Sequence, residues 1–395
     1  MEKKYLIVNR GSSSEKYAVY TKEKRLAYLY IERSDSGSEY TGNLYIDDKK
    51  ETLSVSEKDF KNSLDYCLKI FIAKGIILSK EDIVGIGIRI VAPGLFLQNH
   101  KIIDSDFEKE LKRVMSDSPL HIKPAYNMIL ELQKKFKRVP IVGVSDSAFH
   151  RTLPPKAKYY AIPFEDTKKY QIQKYGYHGI SMEAVVEKIK KENGSLPEKL
   201  IICHIGSGAS VTAVKGGQSI ENSMGFTVLE GLVMATRGGD IDPGVISFLT
   251  DNLKLKGDSL REYLNKKSGL LGISGKSSDV RDLIKLEKEG EVQAKLALDM
   301  YVYRLQKYIG AYFVALGGLD MLVFTATVGE RSFIIRERVC QALEVLGLKI
   351  NKEINNQSEG IDADISAVDS KVKILVRKTD EVEQIAKDTI FTLGF

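Results

Sequence analysis

An α/β fold made of two similar halves is what this sequence predicts. Three observations predict it: short apolar runs of strand length, helical periodicity between them, and one segment that echoes another nearly half a chain away. The apolar runs lie at residues 5–8, 83–90, 141–144, 200–203 and 322–325. Helical spacing predicts helices over 57–74, 106–115, 181–191, 291–316 and 330–346, with a closing helix over 382–389. The echo lays residues 6–19 (LIVNRGSSSEKYAV) against 201–214 (IICHIGSGASVTAV) without a gap, each copy reading strand, small-residue turn, strand. Such a duplication predicts two domains, with a boundary near residues 147–154.

Composition supports that reading. At 395 residues, 43% hydrophobic and 28% charged, the chain buries a sizeable core and has the length of two domains. The net charge of +6 is spread through mixed runs, which argues for a solvated surface and against a nucleic-acid partner. No stretch approaches about 18 uninterrupted apolar residues, so neither an export signal nor a membrane span is expected. Cys67, Cys203 and Cys340 are odd in number and scattered, which suggests neither a disulfide framework nor a zinc site and fits a reducing cytoplasm.

The first chemical signal is Asn9-Arg10-Gly11-Ser12-Ser13-Ser14, a small-residue turn after an apolar strand, where backbone N–H groups and hydroxyls turn inward toward an anion. A plain hairpin is the commoner meaning of such a turn, but Gly206-Ser207-Gly208 repeats it in the second copy. Gly275-Lys276-Ser277 imitates a P-loop ending, yet Leu270 stands where that pattern needs glycine, so it reads as a surface loop. No Gly-x-Gly-x-x-Gly dinucleotide signature is present. Arg89 ends a run apolar enough to be a buried strand, so its guanidinium needs an anion: a ligand or an internal salt bridge. Arg237 poses the same question in a glycine-rich loop. His178, between glycines just before a helix, is placed to donate to a phosphoryl oxygen, whereas His100 and His150 have no comparable setting. Asp146, after the 141–144 strand, reads equally as a magnesium ligand or as a helix N-cap.

Taken together the motifs resemble the acetate kinase family. They are Asn-x-Gly-Ser-Ser-Ser at 9–14, Ser-Asp-Ser-Ala-Phe-His at 145–150, Tyr-Gly-Tyr-His-Gly at 175–179, and the long block Ser-Met-Gly-Phe-Thr-x-Leu-Glu-Gly-x-x-Met-x-Thr-Arg-x-Gly-Asp-Ile-Asp-Pro at 223–243. Further matches at 278–282, 323–326 and 385–389 extend the resemblance over essentially the whole chain. It implies the duplicated ribonuclease H-like two-domain α/β fold of the sugar kinase, Hsp70 and actin superfamily. The implied halves are 1–148 completed by 382–395, and 149–381, with an active site in the cleft between them. It also implies a cytoplasmic, usually homodimeric enzyme that uses Mg2+, or Mn2+, to move the terminal phosphoryl group of ATP onto acetate.

The family's roles, carried over by resemblance, give a catalytic set of Arg89, Asp146, His178 and Arg237, and metal ligands Asn9 and Glu381. The acid would lie against Arg89, Val91, Leu120, Tyr177 and Val228. The nucleotide and its phosphates would meet Ser12, Ser14, Lys16, His204, Gly206, Ser207, Gly208, Asp279, Val280, Arg281, Thr327, Gly329 and Arg331. The chemistry suits these residue types. A carboxylate acceptor is already ionised at neutral pH and needs no general base, so the task is to neutralise charge as two anions meet.

The sequence also departs from the family. Ile88-Arg89-Ile90-Val91-Ala92-Pro93-Gly94 replaces His-Arg-Val-Val-His-Gly-Gly, so both flanking histidines are gone. Tyr177 and Val228 stand for Phe and Pro beside the acid, which leaves acetate, propionate and butyrate open. On the donor side Thr327-Val328-Gly329-Glu330-Arg331 replaces Gly-Ile-Gly-Glu-Asn and Ser207 replaces Asn, which leaves another nucleotide or pyrophosphate open as donor. A sugar or polyol kinase would need a carboxylate base beside its hydroxyl acceptor, and an Hsp70- or actin-like ATPase module would need a partner-binding segment.

Overall fold

A computed structural model describes residues 2–11, 14–33, 39–47 and 49–395. The chain divides into two compact units, Met1–Ala148 with Asp380–Phe395, and Phe149–Thr379.

In the first unit, strands β1 (Lys4–Arg10), β2 (Ser14–Tyr20), β3 (Arg25–Arg33), β4 (Tyr40–Ile46), β5 (Lys49–Ser54), β6 (Ile83–Ile90), β7 (Lys101–Ile102) and β8 (Ile141–Ser145) form one sheet. Its order is β5-β4-β3-β2-β1-β6-β8-β7. The first five strands meander antiparallel, while β1, β6 and β8 run parallel. The parallel strands are covered on both faces and therefore read as continuous apolar runs. Leu6, Val8, Ile86, Ile88 and Val142 are fully buried here. Gly85 and Gly87 interrupt β6 for a steric reason. The closing helix Glu381–Thr392 crosses so near that a Cβ on Gly87 would lie 2.0 Å from Thr389 Oγ1, and one on Gly85 2.5 Å from Leu393 Cδ1. Two bare backbone positions thus let the helix seat and carry Glu381 to the strand ends.

In the second unit, β9 (Lys199–Ile205), β10 (Ala209–Lys215), β11 (Gln218–Asn222), β12 (Met321–Thr325), β13 (Ala363–Asp364) and β14 (Lys373–Val376) take the order β11-β10-β9-β12-β14-β13. Three antiparallel strands followed by parallel neighbours repeat the pattern β3-β2-β1-β6-β8. The echoing segments are the β1–β2 and β9–β10 hairpins, so the internal repeat is structural. The 25-residue helix Val292–Leu316 buries Leu298, Tyr301, Leu305 and Ile309, the 3.6-residue spacing that predicts it.

Several expectations change. The helix expected over 57–74 breaks at Asn62, whose backbone leaves the helical region, giving Glu57–Lys61 and Ser63–Ala73. That over 330–346 breaks at Ser332, which caps Phe333–Gln341 through its hydroxyl, and ends in the 3-10 turn Glu344–Leu346. The helix Pro119–Lys135 was not anticipated, because Pro119 and Pro124 blur the periodicity of its first turns; Pro119 is tolerated at the start, where its missing N–H has no partner to lose. No helix among the described residues is long and apolar enough to cross a membrane.

Candidate active site

Three strand ends build the first cluster. Asn9 and Arg89 each lie one residue from the end of their strands, β1 and β6, and Asp146 follows β8, its N–H fixed on Ile90 O at 2.9 Å. Arg89 engages Asp146 through two parallel bonds, Nε to Oδ1 and a terminal nitrogen to Oδ2, both 3.0 Å. Its other terminal nitrogen reaches Glu381 Oε2 at 3.3 Å, and Asn9 Nδ2 donates to the same oxygen at 3.0 Å. Burial draws the Arg89 guanidinium down, and the Asp146 and Glu381 carboxylates more than offset this, holding it above its ordinary value. Of the two sequence readings of Arg89, these contacts show the internal salt bridge: it is an ion-pair partner at the mouth of a strand. His100 Nδ1 accepts the Ser145 N–H at 3.1 Å, steadying the backbone that carries Asp146. Among the described atoms of the first hairpin turn, Gly11 N donates to Ser14 O at 2.8 Å; Ser12 lies outside the described residues. Lys16 stands opposite Asn9 in the β1–β2 register. Val91 is partly buried, and Leu120, at the start of Pro119–Lys135, is 41% exposed.

The second cluster surrounds the β9–β10 turn. Gly206 N closes it onto Gly208 O at 2.9 Å. A Cβ on Gly208 would lie 2.8 Å from an Arg237 terminal nitrogen and 3.3 Å from His178 Nε2, so the bare backbone lets both side chains approach this turn. Arg237 is aimed by two bonds: its guanidinium donates to Val228 O at 2.8 Å, and Ala235 N ties its loop to Ser207 O at 3.1 Å. His178 adopts φ 61° as the N-cap residue of Gly179–Asn193, a left-handed backbone that is unfavourable for a side-chain-bearing residue. Its ring stacks on His204, centroids 4.1 Å apart. His178 Nδ1 pairs with Ser210 Oγ at 2.9 Å and His204 Nδ1 with Ser181 Oγ at 2.8 Å.

Tyr177 is buried, and its phenol donates to Phe226 O at 2.8 Å, so the oxygen added relative to phenylalanine fastens the loop that bears Val228. Behind it His150 is a strut: one ring nitrogen meets Tyr177 O at 3.0 Å and the other Ser219 Oγ at 2.8 Å. Burial pushes the His150 imidazole down from 6.5 to about 4, against a smaller opposing effect of the Tyr177 carbonyl. The folded state therefore holds it neutral while the unfolded chain protonates it. Its stabilising contribution is complete above about pH 6.5 and falls as pH drops toward 4, by about 2 kcal/mol at roughly pH 5. Urea unfolding of wild type and His150→Asn across this range checks it: the variant should lack that part of the slope.

The remaining donor-side residues also lie in the second unit. Asp279 caps Val280–Lys288, accepting from Arg281 N at 2.7 Å, and its carboxylate holds the 84% exposed Arg281 guanidinium at 2.6 Å. Val280 is buried. Thr327, Gly329 and Arg331 belong to Ala326–Arg331, the short helix after β12; Thr327 and Arg331 are exposed and Gly329 is buried. Sequence reasoning missed Ser181 and Ser210. Ser181 lies three residues after His178 and so returns to the same helix face, a signal the spacing carries.

Two sheets that share one core strand order, each entered through an antiparallel hairpin, define the duplicated ribonuclease H-like fold of the sugar kinase, Hsp70 and actin superfamily. The Acetokinase family model matches residues 4–387. The acetate kinase of Treponema denticola is 41% identical over 98% of this chain and 99% of its own, and that of Carboxydothermus hydrogenoformans 43% identical over 98% of each. Among solved structures, Porphyromonas gingivalis acetate kinase superposes with TM-score 0.86 at 35% identity, covering 99% of this chain and 100% of its own. A propionate kinase from Francisella tularensis gives 0.87 at 35%, covering 98% and 99%. The chain belongs to the acetokinase family.

Proposed function

We propose that this protein transfers the terminal phosphoryl group of ATP to the carboxylate of acetate, reversibly, giving acetyl phosphate and ADP by direct in-line displacement. An acetate oxygen forms the new P–O bond as the bond to the ADP oxygen breaks, and no proton moves. The observation that carries this reading is the approach of Arg237 and His178 to the Gly208 turn: a cation and an imidazole aimed at a backbone cradle, with no carboxylate base needed. Arg237 and His178 bind the phosphoryl oxygens in transit and Arg89 the acid. Val91, Leu120, Tyr177 and Val228 contact its methyl group. Ser12, Ser14, Lys16, His204, Gly206, Ser207 and Gly208 receive the phosphates, and Asp279, Val280, Arg281, Thr327, Gly329 and Arg331 the nucleoside.

A divalent metal accompanies ATP in this chemistry, and Asn9, Asp146 and Glu381 would hold it. The amide and two carboxylates of that cluster are hard oxygen donors without sulfur, a set that fits Mg2+ or Mn2+. Bound there, the ion would supply positive charge to the polyphosphate. The enzyme works as a cytoplasmic homodimer in this reading, an assembly that sedimentation would reveal.

The likeness to a propionate kinase, with Tyr177 and Val228 beside the acid, supports a second acceptor in the same site. Exposed Thr327 and Arg331, where the family resemblance has Gly and Asn, support a donor other than ATP. Trapping acyl phosphate as hydroxamate tests all three readings, with acetate, propionate and butyrate crossed against ATP, GTP and pyrophosphate. Acetate with ATP should give the highest kcat/KM. Higher values for propionate or pyrophosphate would shift the assignment within the site, and no hydroxamate with any pair would end it.

A further inference from the structure

We infer that Ser210 and Ser181 fix the tautomers of His178 and His204, so that the stacked pair presents an N–H at each Nε2. The inference deepens the phosphoryl-transfer reading and rests on it for its kinetic arm. The arrangement is crosswise: His178, at the helix start, pairs with Ser210 on β10, whereas His204, on β9, pairs with Ser181 inside that helix. The β9–β10 register places Ser210 directly opposite His204, and Ser181 follows His178 by three residues. His204 is thus tied to the helix that begins at His178, and His178 to the strand paired with the one that carries His204.

The protons follow from burial. Both serines are fully buried, at 0% exposure, so bulk solvent does not reach either hydroxyl. Among the described residues, the imidazole Nδ1 is the sole hydrogen-bond partner of each Oγ. Were the ring hydrogen on Nδ1, it would donate to Oγ and leave the serine proton without an acceptor in a closed interior, an arrangement folded proteins avoid. With the serine donating to a bare Nδ1, both atoms of that pair are satisfied and the ring hydrogen sits on Nε2. For His178 that edge faces Gly208, where an incoming phosphoryl oxygen needs a donor. Ser210 and Ser181 are accordingly positioning residues, acting through the rings.

The test reads the tautomers directly. With only five histidines in the chain, long-range 1H–15N correlation on the full-length 15N-labelled protein resolves each ring, and His178→Gln and His204→Gln assign the two signals. The expected result is the Nε2–H pattern for both rings in the wild type. Ser210→Ala should move His178 toward a tautomer mixture and leave His204 unchanged, Ser181→Ala should do the reverse, and kcat should fall roughly tenfold in each with both KM values nearly constant. An Nδ1–H ring in the wild type, or serine variants with unaltered tautomers, overturns the inference. Because the wild-type spectrum needs no variant and no turnover, an Nε2–H result with no acyl phosphate formed would uphold the tautomer assignment while removing the reaction.

Discussion

Replacing Arg237 with alanine is expected to slow acyl phosphate formation by roughly 10³-fold or more while leaving the thermal midpoint nearly unchanged. The asymmetry follows from its surroundings. Arg237 is only partly buried, and its guanidinium donates to a neutral carbonyl, Val228 O at 2.8 Å, a bond whose loss leaves no desolvated charge at that acceptor. What is lost is the cation facing Gly208, where charge accumulates as phosphorus passes between two oxygens. Lysine at this position keeps the charge but not the planar fork, and should recover only part of the rate. Hydroxamate trapping beside a circular-dichroism melt measures both quantities. A loss under tenfold would remove Arg237 from the reaction.

Arg89→Ala should fail on both counts. Its guanidinium is the cation between Asp146 and Glu381, which accept from it at 3.0 and 3.3 Å in a mostly buried setting. Deleting one partner of such a buried network typically removes about 3–5 kcal/mol, because the remaining carboxylates stay desolvated and lose the guanidinium charge that faced them. Turnover should fall by at least the roughly 10³-fold expected for Arg237, since the acid loses its cation and the proposed metal ligands lose the group that aligns them. The double variant Arg89→Met/Asp146→Asn separates the effects: it should regain part of the stability and none of the activity. Urea unfolding that shows Arg89→Ala as stable as wild type would contradict the ion-pair account.

How much of this was legible depends on the interaction concerned. Strands β1, β6, β8, β9 and β12 could be read directly because a strand covered on both faces must be apolar along its length. The outer strands β3 to β5 were not read, since tyrosines, lysines and glutamates on their half-exposed faces dilute the signal. Arg89 and Arg237 stood out because a guanidinium in an apolar run or a glycine-rich loop demands an anion, but nothing local names the partner. Asp146 lies 57 residues from Arg89, and Glu381 lies 292.

By itself the sequence determined the duplicated α/β architecture, the two hairpin turns and the family, because these rest on patterns local to a strand, a turn or a motif. Tertiary structure decided which charges meet. It seats the last helix on Gly85 and Gly87 so that Glu381 reaches Asn9 and Arg89, and it buries two serines where each has one imidazole nitrogen to serve. Hydrogen bonding and ion pairing act over about 3 Å, and only the folded chain brings residues that are distant in sequence within that range.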